Sequence, residues 1–329
     1  MNAIVQRRYG SAEVLAVGVV PAPRVGPEDV LVAVEAAMAT QGDRRLRAGD
    51  FPSVTWLPGR LALGLTGPRN PVPGTIFAGR VVEVGAAVTR YAVGDDVFGS
   101  VMHGAYAERL VVPQGGPMAR MPAGTSYKEA CALPYGAVTA LVYLRDLGQV
   151  GSGSRVCVLG ASGGVGYLAV QLALHLGATV TAVCGARHLD RVRALGAGSD
   201  RLRVVDRGAE DFRAAGPYDV IFDAPNATRF SVCRSALTAD GRYLPLGMDL
   251  GVLAQLAWTA TRGAVAGGQR VLLGVAVPTA ARLDEVRALA EQGVFRAVID
   301  RVFPLARAAE AHGYLEAATG HGAVVLAAA

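Results

Sequence analysis

The alternation of apolar and polar residues changes character at Ser126. Before it, short alternating runs at Val14–Val20, Asp29–Ala37, Thr75–Val84, Asp96–Phe98 and Ala105–Val112 are separated by Gly, Pro and Asp. A period of two with that punctuation predicts strands. Residues 1–122 therefore read as a β-rich domain of rolled strands, with one helical segment near Asp43–Ala48. Phe51–Pro73 carries Pro52, Pro58, Pro68, Pro71 and Pro73, which predicts a long loop or lid. From Ser126 the period lengthens. Ser126 and Glu129 have the spacing of a capping box, and Leu133–Leu147 continues as helix. Strand-like runs at 155–160, 179–184, 202–205, 218–223, 242–246 and 270–276 then alternate with helical segments. That alternation predicts a doubly wound parallel sheet, an α/β domain over residues 123–276. Helices over 279–292 and 306–317 and strands over 297–303 and 323–327 follow, and residues 277–329 are expected to complete the first domain.

The sharpest local signal lies in Arg155–Leu176. A Val-rich strand ends at Gly160, then Gly163, Gly164 and Gly166 follow around Ser162 and Val165. Leu168, Leu172 and Leu176 next recur at helical period. Strand, glycine turn and helix in that order form the phosphate-binding start of a dinucleotide fold. Glycine permits the tight turn and the close approach of a pyrophosphate, and the helix N-terminus supplies free amides and positive potential. The plainer alternative is a small-residue turn that packs helix on strand. Gly177, placed to end the helix, and a second strand over Ala178–Cys184 favour the nucleotide reading.

Composition narrows the rest. The chain has 329 residues, enough for two domains. It is 52% hydrophobic, yet no run reaches the ~20 apolar residues of a membrane span. The N-terminus has no secretory signal pattern, and the cytoplasm is the expected compartment. Cys131, Cys157, Cys184 and Cys233 are scattered singly, as small buried hydrophobes are, with neither a disulfide nor a metal-site spacing. The net charge of +5 comes from dispersed arginines, which suits a small anionic ligand better than nucleic acid.

Segments along nearly the whole chain carry a family likeness: DRRLRAG (43–49), PGTIFAGRVVEVGAAV (73–88), GDDVFG (94–99), AYAERLVVP (105–113), ACALPYGAVTA (130–140), GASGGVGYLAVQLA (160–173) and VIDRVFPLARAAEAH (298–312). The chain resembles zinc-free members of the medium-chain dehydrogenase/reductase superfamily, on the quinone oxidoreductase and enone reductase branch. The resemblance implies a GroES-like catalytic domain, a Rossmann domain, a nicotinamide in the cleft between them, and a homodimer. Zinc-using relatives hold metal with Cys and a His-Glu pair near positions that here read Thr40, Gln41, Gly42, Asp43 and Thr75, Ile76. With the histidines unclustered as well, no metal is expected.

NADP(H) is the expected cofactor. An NAD site of this fold ends its second strand with an acid that binds the ribose diol, whereas Cys184 is followed by Gly185, Ala186, Arg187, His188, Leu189, Asp190 and Arg191. Arg187 and Arg191 suit a 2′-phosphate, or are solvated residues of a helix start. Where Gly185 stands, relatives often carry Ser. The resemblance brings Thr139 to the nicotinamide carboxamide. Asp223–Pro225, Leu246–Gly247 and Gly274–Ala276 (with Val275) fall at later strand ends, where a cofactor passes or side chains simply pack.

Without zinc, a hydroxyl must stabilise the enolate or alkoxide that develops. The candidates are Thr40, Tyr135 and His103. Tyr135 reads equally as buried packing, and His103 as an exposed turn residue. Asp43 and Arg47 match the family and read first as an internal pair that fixes their helix. The chain also departs from its relatives. Their Asn near Thr40 and Tyr near Phe51 are lost, Pro225 removes a backbone donor, and the loop Gly320–Ala323 is short. The expected activity is zinc-independent, NADPH-dependent reduction of a small hydrophobic quinone, enone or related conjugated carbonyl. The alternative is a non-redox cyclase or isomerase, or a binding protein, on the same scaffold in a specialised biosynthetic pathway. Residues 249–268 are apolar enough to line a pocket or a dimer contact.

Overall fold

A computed structural model describes residues 1–51, 56–247, 249–266, 268–317 and 321–328. It divides the chain into two compact units, Met1–Tyr135 with Pro278–Ala329, and Gly136–Val277.

The first unit opens with β1 (Asn2–Val5) and β2 (Ala16–Val19), an antiparallel pair. The long strand β3 (Asp29–Ala39) leads into α1 (Gln41–Ala48) and α2 (Trp56–Leu63). Then come β4 (Ile76–Val84), β5 (Asp96–Ser100), β6 (Arg109–Pro113) and β7 (Met118–Arg120). Helix α3 (Tyr127–Cys131) begins at the expected capping box: the Ser126 hydroxyl accepts from the Glu129 amide while the Glu129 carboxylate accepts from the Ser126 amide. Helix α4 (Pro134–Ala140) continues as a π-helix over Leu141–Leu147, with the Gly148 amide donating to the Tyr143 carbonyl five residues back.

The second unit is built on β8 (Arg155–Leu159), α5 (Gly164–His175), β9 (Thr179–Cys184), α6 (Leu189–Arg193), β10 (Leu202–Asp206), β11 (Tyr218–Asp223), α7 (Phe230–Cys233), β12 (Leu237–Pro245), α8 (Leu250–Ala266) and β13 (Arg270–Val271). All six strands are parallel in the order β10-β9-β8-β11-β12-β13, the doubly wound order with its switch between β8 and β11. Their cores are near-continuous apolar runs because helices cover both faces; Val156, Val158, Val180, Ala182, Ile221 and Phe222 are buried. Gly177 ends α5 at φ +86°, with Ala178 N donating to the Ala173 carbonyl and Gly177 N to that of Leu174, the two bonds of a glycine C-cap.

The chain then supplies α9 (Ala280–Glu291), β14 (Ile299–Pro304), α10 (Ala308–Glu316) and β15 (Ala323–Ala327). β15 pairs antiparallel with β3 and parallel with β14, so these pieces complete the sheet of the first unit. Its core gathers Val30, Val32, Phe77, Val97, Tyr106, Met118 and Val324.

Three expectations are corrected. The proline-rich stretch 51–73 contains α2, because a proline in the first helical turn removes an amide that no helix bond uses; Pro52 lies outside the described residues. The strand expected over 270–276 stops at Val271, and Val275 is 82% exposed. The strand expected over 105–112 starts only at Arg109, while Ala105–Ala107 are buried by loop packing. Gly320, in the short C-terminal loop, lies outside the described residues.

Candidate active site

The glycine turn is built by mutual close approach. Gly160 adopts φ +73°, and a Cβ there would lie 2.7 Å from Cδ of Pro225. A Cβ on Gly166 would strike the Gly160 carbonyl. Gly163 is the N-cap of α5 and has no side chain to cap with, so the amides of the first turn, Gly164 to Gly166, have no helical partners. Ser162 is buried within the turn. A Cβ on Gly136 would sit 2.7 Å from the Gly164 carbonyl, so α4 presses on this helix start, and Thr139 lies one turn on along the same face, 3% exposed. A helix start of this kind, with walls made of backbone, can hold an anion.

At the end of β9, the Cys184 carbonyl accepts the Arg207 amide at 2.9 Å, and the Cys184 side chain is buried. Gly185 leaves space there, and a Cβ on it would meet only Nε of Arg207, at 3.8 Å. Arg187 and Arg191 are exposed nearby on the α6 approach. Asp206, in register with Cys184, accepts the Gly208 amide with its carboxylate. Arg207 was invisible to sequence reasoning. Only the parallel pairing of β10 with β9 brings it to Gly185, and no local motif marks it.

The loop after β11 is pinned by Asp223. This carboxylate is fully buried and accepts from the amides of Ala227 and Thr228, each at 2.9 Å, and from the Tyr243 hydroxyl at 2.8 Å. Both its oxygens are therefore turned onto its own loop rather than outward. Burial of Tyr243 first, and the Asp223 charge second, push its phenol well above the usual tyrosine range. Asn226 stands in this loop at φ +58°, its side-chain oxygen buried without a partner, opposite Gly247 and beside Leu246 at the end of β12. Gly274 sits in a loop beyond β13, held by the Tyr143 hydroxyl donating to its carbonyl at 2.7 Å; Val275 and Ala276 continue that loop.

In the first unit a buried polar cluster surrounds α1. Thr40 caps the helix: its hydroxyl accepts from the Asp43 amide at 2.9 Å and donates to Asp43 Oδ2 at 2.6 Å. Asp43 is 2% exposed, and burial raises its carboxyl to about 6 against the opposing hydrogen bonds from Thr40 and Thr75. Asp43 and Arg47 do not pair with each other. Arg47, 1% exposed, bonds Glu316 of α10, because a buried guanidinium can reach across to that helix while Asp43 is engaged by its own cap. His312 is fully buried, with Nε2 3.1 Å from the Tyr106 hydroxyl; burial and the Arg47 charge lower it to about 3.

Tyr135 feels this cluster directly. Burial first, and the Asp43 charge second, raise its phenol above the ordinary value. Thr40 and Tyr135 thus share the surroundings of Asp43. His103 does not join them in any contact described; it is in an exposed turn, 3.3 Å from the Asn70 amide. All four cysteines are buried and free. Among the described residues no three His, Cys, Asp or Glu side chains converge on a metal position. No helix among them is long and apolar enough to cross a membrane.

Comparison with known proteins agrees with this architecture. Residues 26–141 match the alcohol dehydrogenase GroES-like domain and residues 201–326 the family model described as zinc-binding dehydrogenase. Thr40–Asp43 and Thr75–Ile76 offer that metal no tetrahedral ligand set. The chain is 31% identical over 301 residues to the chloroplast envelope quinone oxidoreductase homolog of Arabidopsis thaliana, covering 87% of this chain and 89% of that one. It is 30% identical over 322 residues to the mitochondrial NAD(P)H oxidoreductase RTN4IP1 of Homo sapiens, covering 90% and 80%. Its fold superimposes on the quinone oxidoreductase from Coxiella burnetii with a TM-score of 0.83 at 25% identity over 99% of both chains.

Proposed function

This chain belongs to the medium-chain dehydrogenase/reductase superfamily as a quinone oxidoreductase-like NAD(P)H oxidoreductase, and from that membership we propose that it reduces a small hydrophobic quinone, enone or related conjugated carbonyl with NADPH, without zinc. The observation that carries the reading is the glycine turn from Gly160 to Gly166 beside the end of β9, which has no acid of its own and is followed by Arg187 and Arg191, with Arg207 arriving from β10.

A dinucleotide fits these residues. The amides of Gly164, Val165 and Gly166, with Ser162 and Gly163, suit the pyrophosphate. Arg187, Arg191 and Arg207 suit the 2′-phosphate. Thr139, Cys184, Asp223, Leu246, Gly247, Gly274, Val275 and Ala276 would flank the rest of the cofactor, Asp223 acting through the loop it pins. Bound there, NADPH supplies the hydride. Tyr135 then has the role of donor to the oxygen that becomes anionic: a phenol with a raised pKa keeps its proton at neutral pH and donates a hydrogen bond. Thr40 and Asp43 hold the polar floor beside it. His103 is the secondary candidate for the proton that follows. A homodimer is proposed from family membership and the edge position of β13, near which Val275 and Val277 are exposed. The proposed compartment is the cytoplasm.

A titration of the protein with NADPH and NADH tests the reading. Binding of NADPH at least tenfold tighter than NADH, with the preference lost in Arg207→Glu, supports it. Absence of binding by either nucleotide sinks it. One observation favours the rival: the Pro225 ring lies against Gly160, which narrows the groove. A chain that binds neither nucleotide would turn attention to a cyclase, an isomerase or a binding protein on the same scaffold.

A further inference from the structure

The second unit contains a buried acceptor with nothing to accept from. The side-chain oxygen of Asn226 is shielded from solvent and has no hydrogen-bond partner. Its backbone is left-handed at φ +58°, a conformation that Asn tolerates better than most residues with a Cβ. The loop holds that shape because Asp223 binds the amides of Ala227 and Thr228 and the Tyr243 hydroxyl, and because Leu246 N and Asn226 N both donate to the Asp223 carbonyl, at 3.1 and 3.3 Å. A buried network that fixes this loop and leaves the Asn226 amide oxygen unmatched is arranged for a ligand.

Location identifies the ligand's donor. Asn226 follows β11 and packs against Gly247 after β12, where a Cβ on the glycine would lie 2.7 Å from the Asn226 Nδ2. In the order β10-β9-β8-β11-β12-β13, these two strands flank β8 on the side opposite β9. A dinucleotide with its pyrophosphate on α5 and its adenosine over β9 must lay its other half across β11 and β12. The donors on that half are the ribose hydroxyls and the nicotinamide carboxamide, and Thr139 is the residue assigned to the carboxamide. We propose that Asn226 binds the hydroxyls of the nicotinamide-side ribose and so sets the register of the nicotinamide. This rests on the cofactor reading above and adds to it a residue that Asp223 positions.

Calorimetric titration of the full chain, wild type and Asn226→Gly, tests the assignment. Glycine keeps the left-handed backbone and removes the amide. The ligands are NADPH and 2′,5′-ADP, which has the adenosine half and no nicotinamide ribose. If NADH proves the tighter dinucleotide, NADH and ADP replace them. Asn226→Gly is expected to weaken the dinucleotide about three- to tenfold and leave the adenosine fragment unchanged. Unaltered dinucleotide affinity overturns the assignment. Equal loss on both ligands also overturns it, since the effect would then be on the fold. Wild-type protein that binds no dinucleotide removes the cofactor reading and this assignment together.

Discussion

His312 and Asp43 carry opposite electrostatic strains within one cluster. His312 is held neutral to about 3 by burial and Arg47, so between its ordinary value near 6.5 and 3 the unfolded chain binds a proton that the folded chain refuses. Its contribution to stability therefore falls as the pH drops, by up to about 1.4 kcal/mol per pH unit. Asp43, raised to about 6 from 3.8, does the reverse: the folded chain takes up a proton that the unfolded chain releases, so that contribution rises on acidification. His312→Gln removes only the first. The stability difference between wild type and this variant should shrink steadily between pH 6 and 4, measured by denaturant midpoints; a difference independent of pH refutes the burial argument. Tyr135 supplies the chemical prediction. Tyr135→Phe should lower kcat about 10- to 100-fold with KM little changed, because the donor acts on charge that develops in the transition state. An unchanged kcat would return Tyr135 to packing.

At the scale of elements, the start of α5 lies too close to the turn that precedes it for a side chain at Gly166. Gly166→Ala drives a methyl into the Gly160 carbonyl. It should cost about 1–3 kcal/mol of stability and abolish detectable NADPH binding, read by denaturation and titration. Gly163→Ala, whose added Cβ would lie 3.4 Å from that carbonyl, should be far milder. A matching effect of the two would show that the turn is not packed as described. Helix α1 is held by its cap, and Thr40→Val should cost about 1–3 kcal/mol through loss of that cap and of the hydroxyl's bond to buried Asp43.

For the whole molecule, ligand linkage gives the broadest check. NADPH at about 100 times its dissociation constant should stabilise the native chain by about 2.7 kcal/mol, seen as a rise in thermal midpoint that 2′,5′-ADP reproduces in part. No rise at any concentration would contradict a folded nucleotide site. Light scattering should return twice the chain mass of 33.9 kDa if the proposed dimer forms, and the single chain mass would remove it.

What the amino-acid sequence determined by itself was whatever depends on neighbours in the chain. The Ser126–Glu129 box, the Gly177 cap, the glycine turn and the alternation of strand and helix are local, because capping, left-handed turns and hydrophobic period act over a few residues. Together with the family likeness they were enough to expect a β-rich unit, a parallel-sheet unit and a glycine turn at a helix start. Tertiary structure alone decided which distant groups meet. Arg47 bonds Glu316 instead of Asp43, Arg207 arrives at Gly185 through strand register, and Asp223 turns inward to bind the amides of Ala227 and Thr228. Tyr106 and His312, 206 residues apart, share one buried contact. Such pairings follow from burial, which charges a high free energy for an unmatched polar group and so selects partners by position in space rather than along the chain.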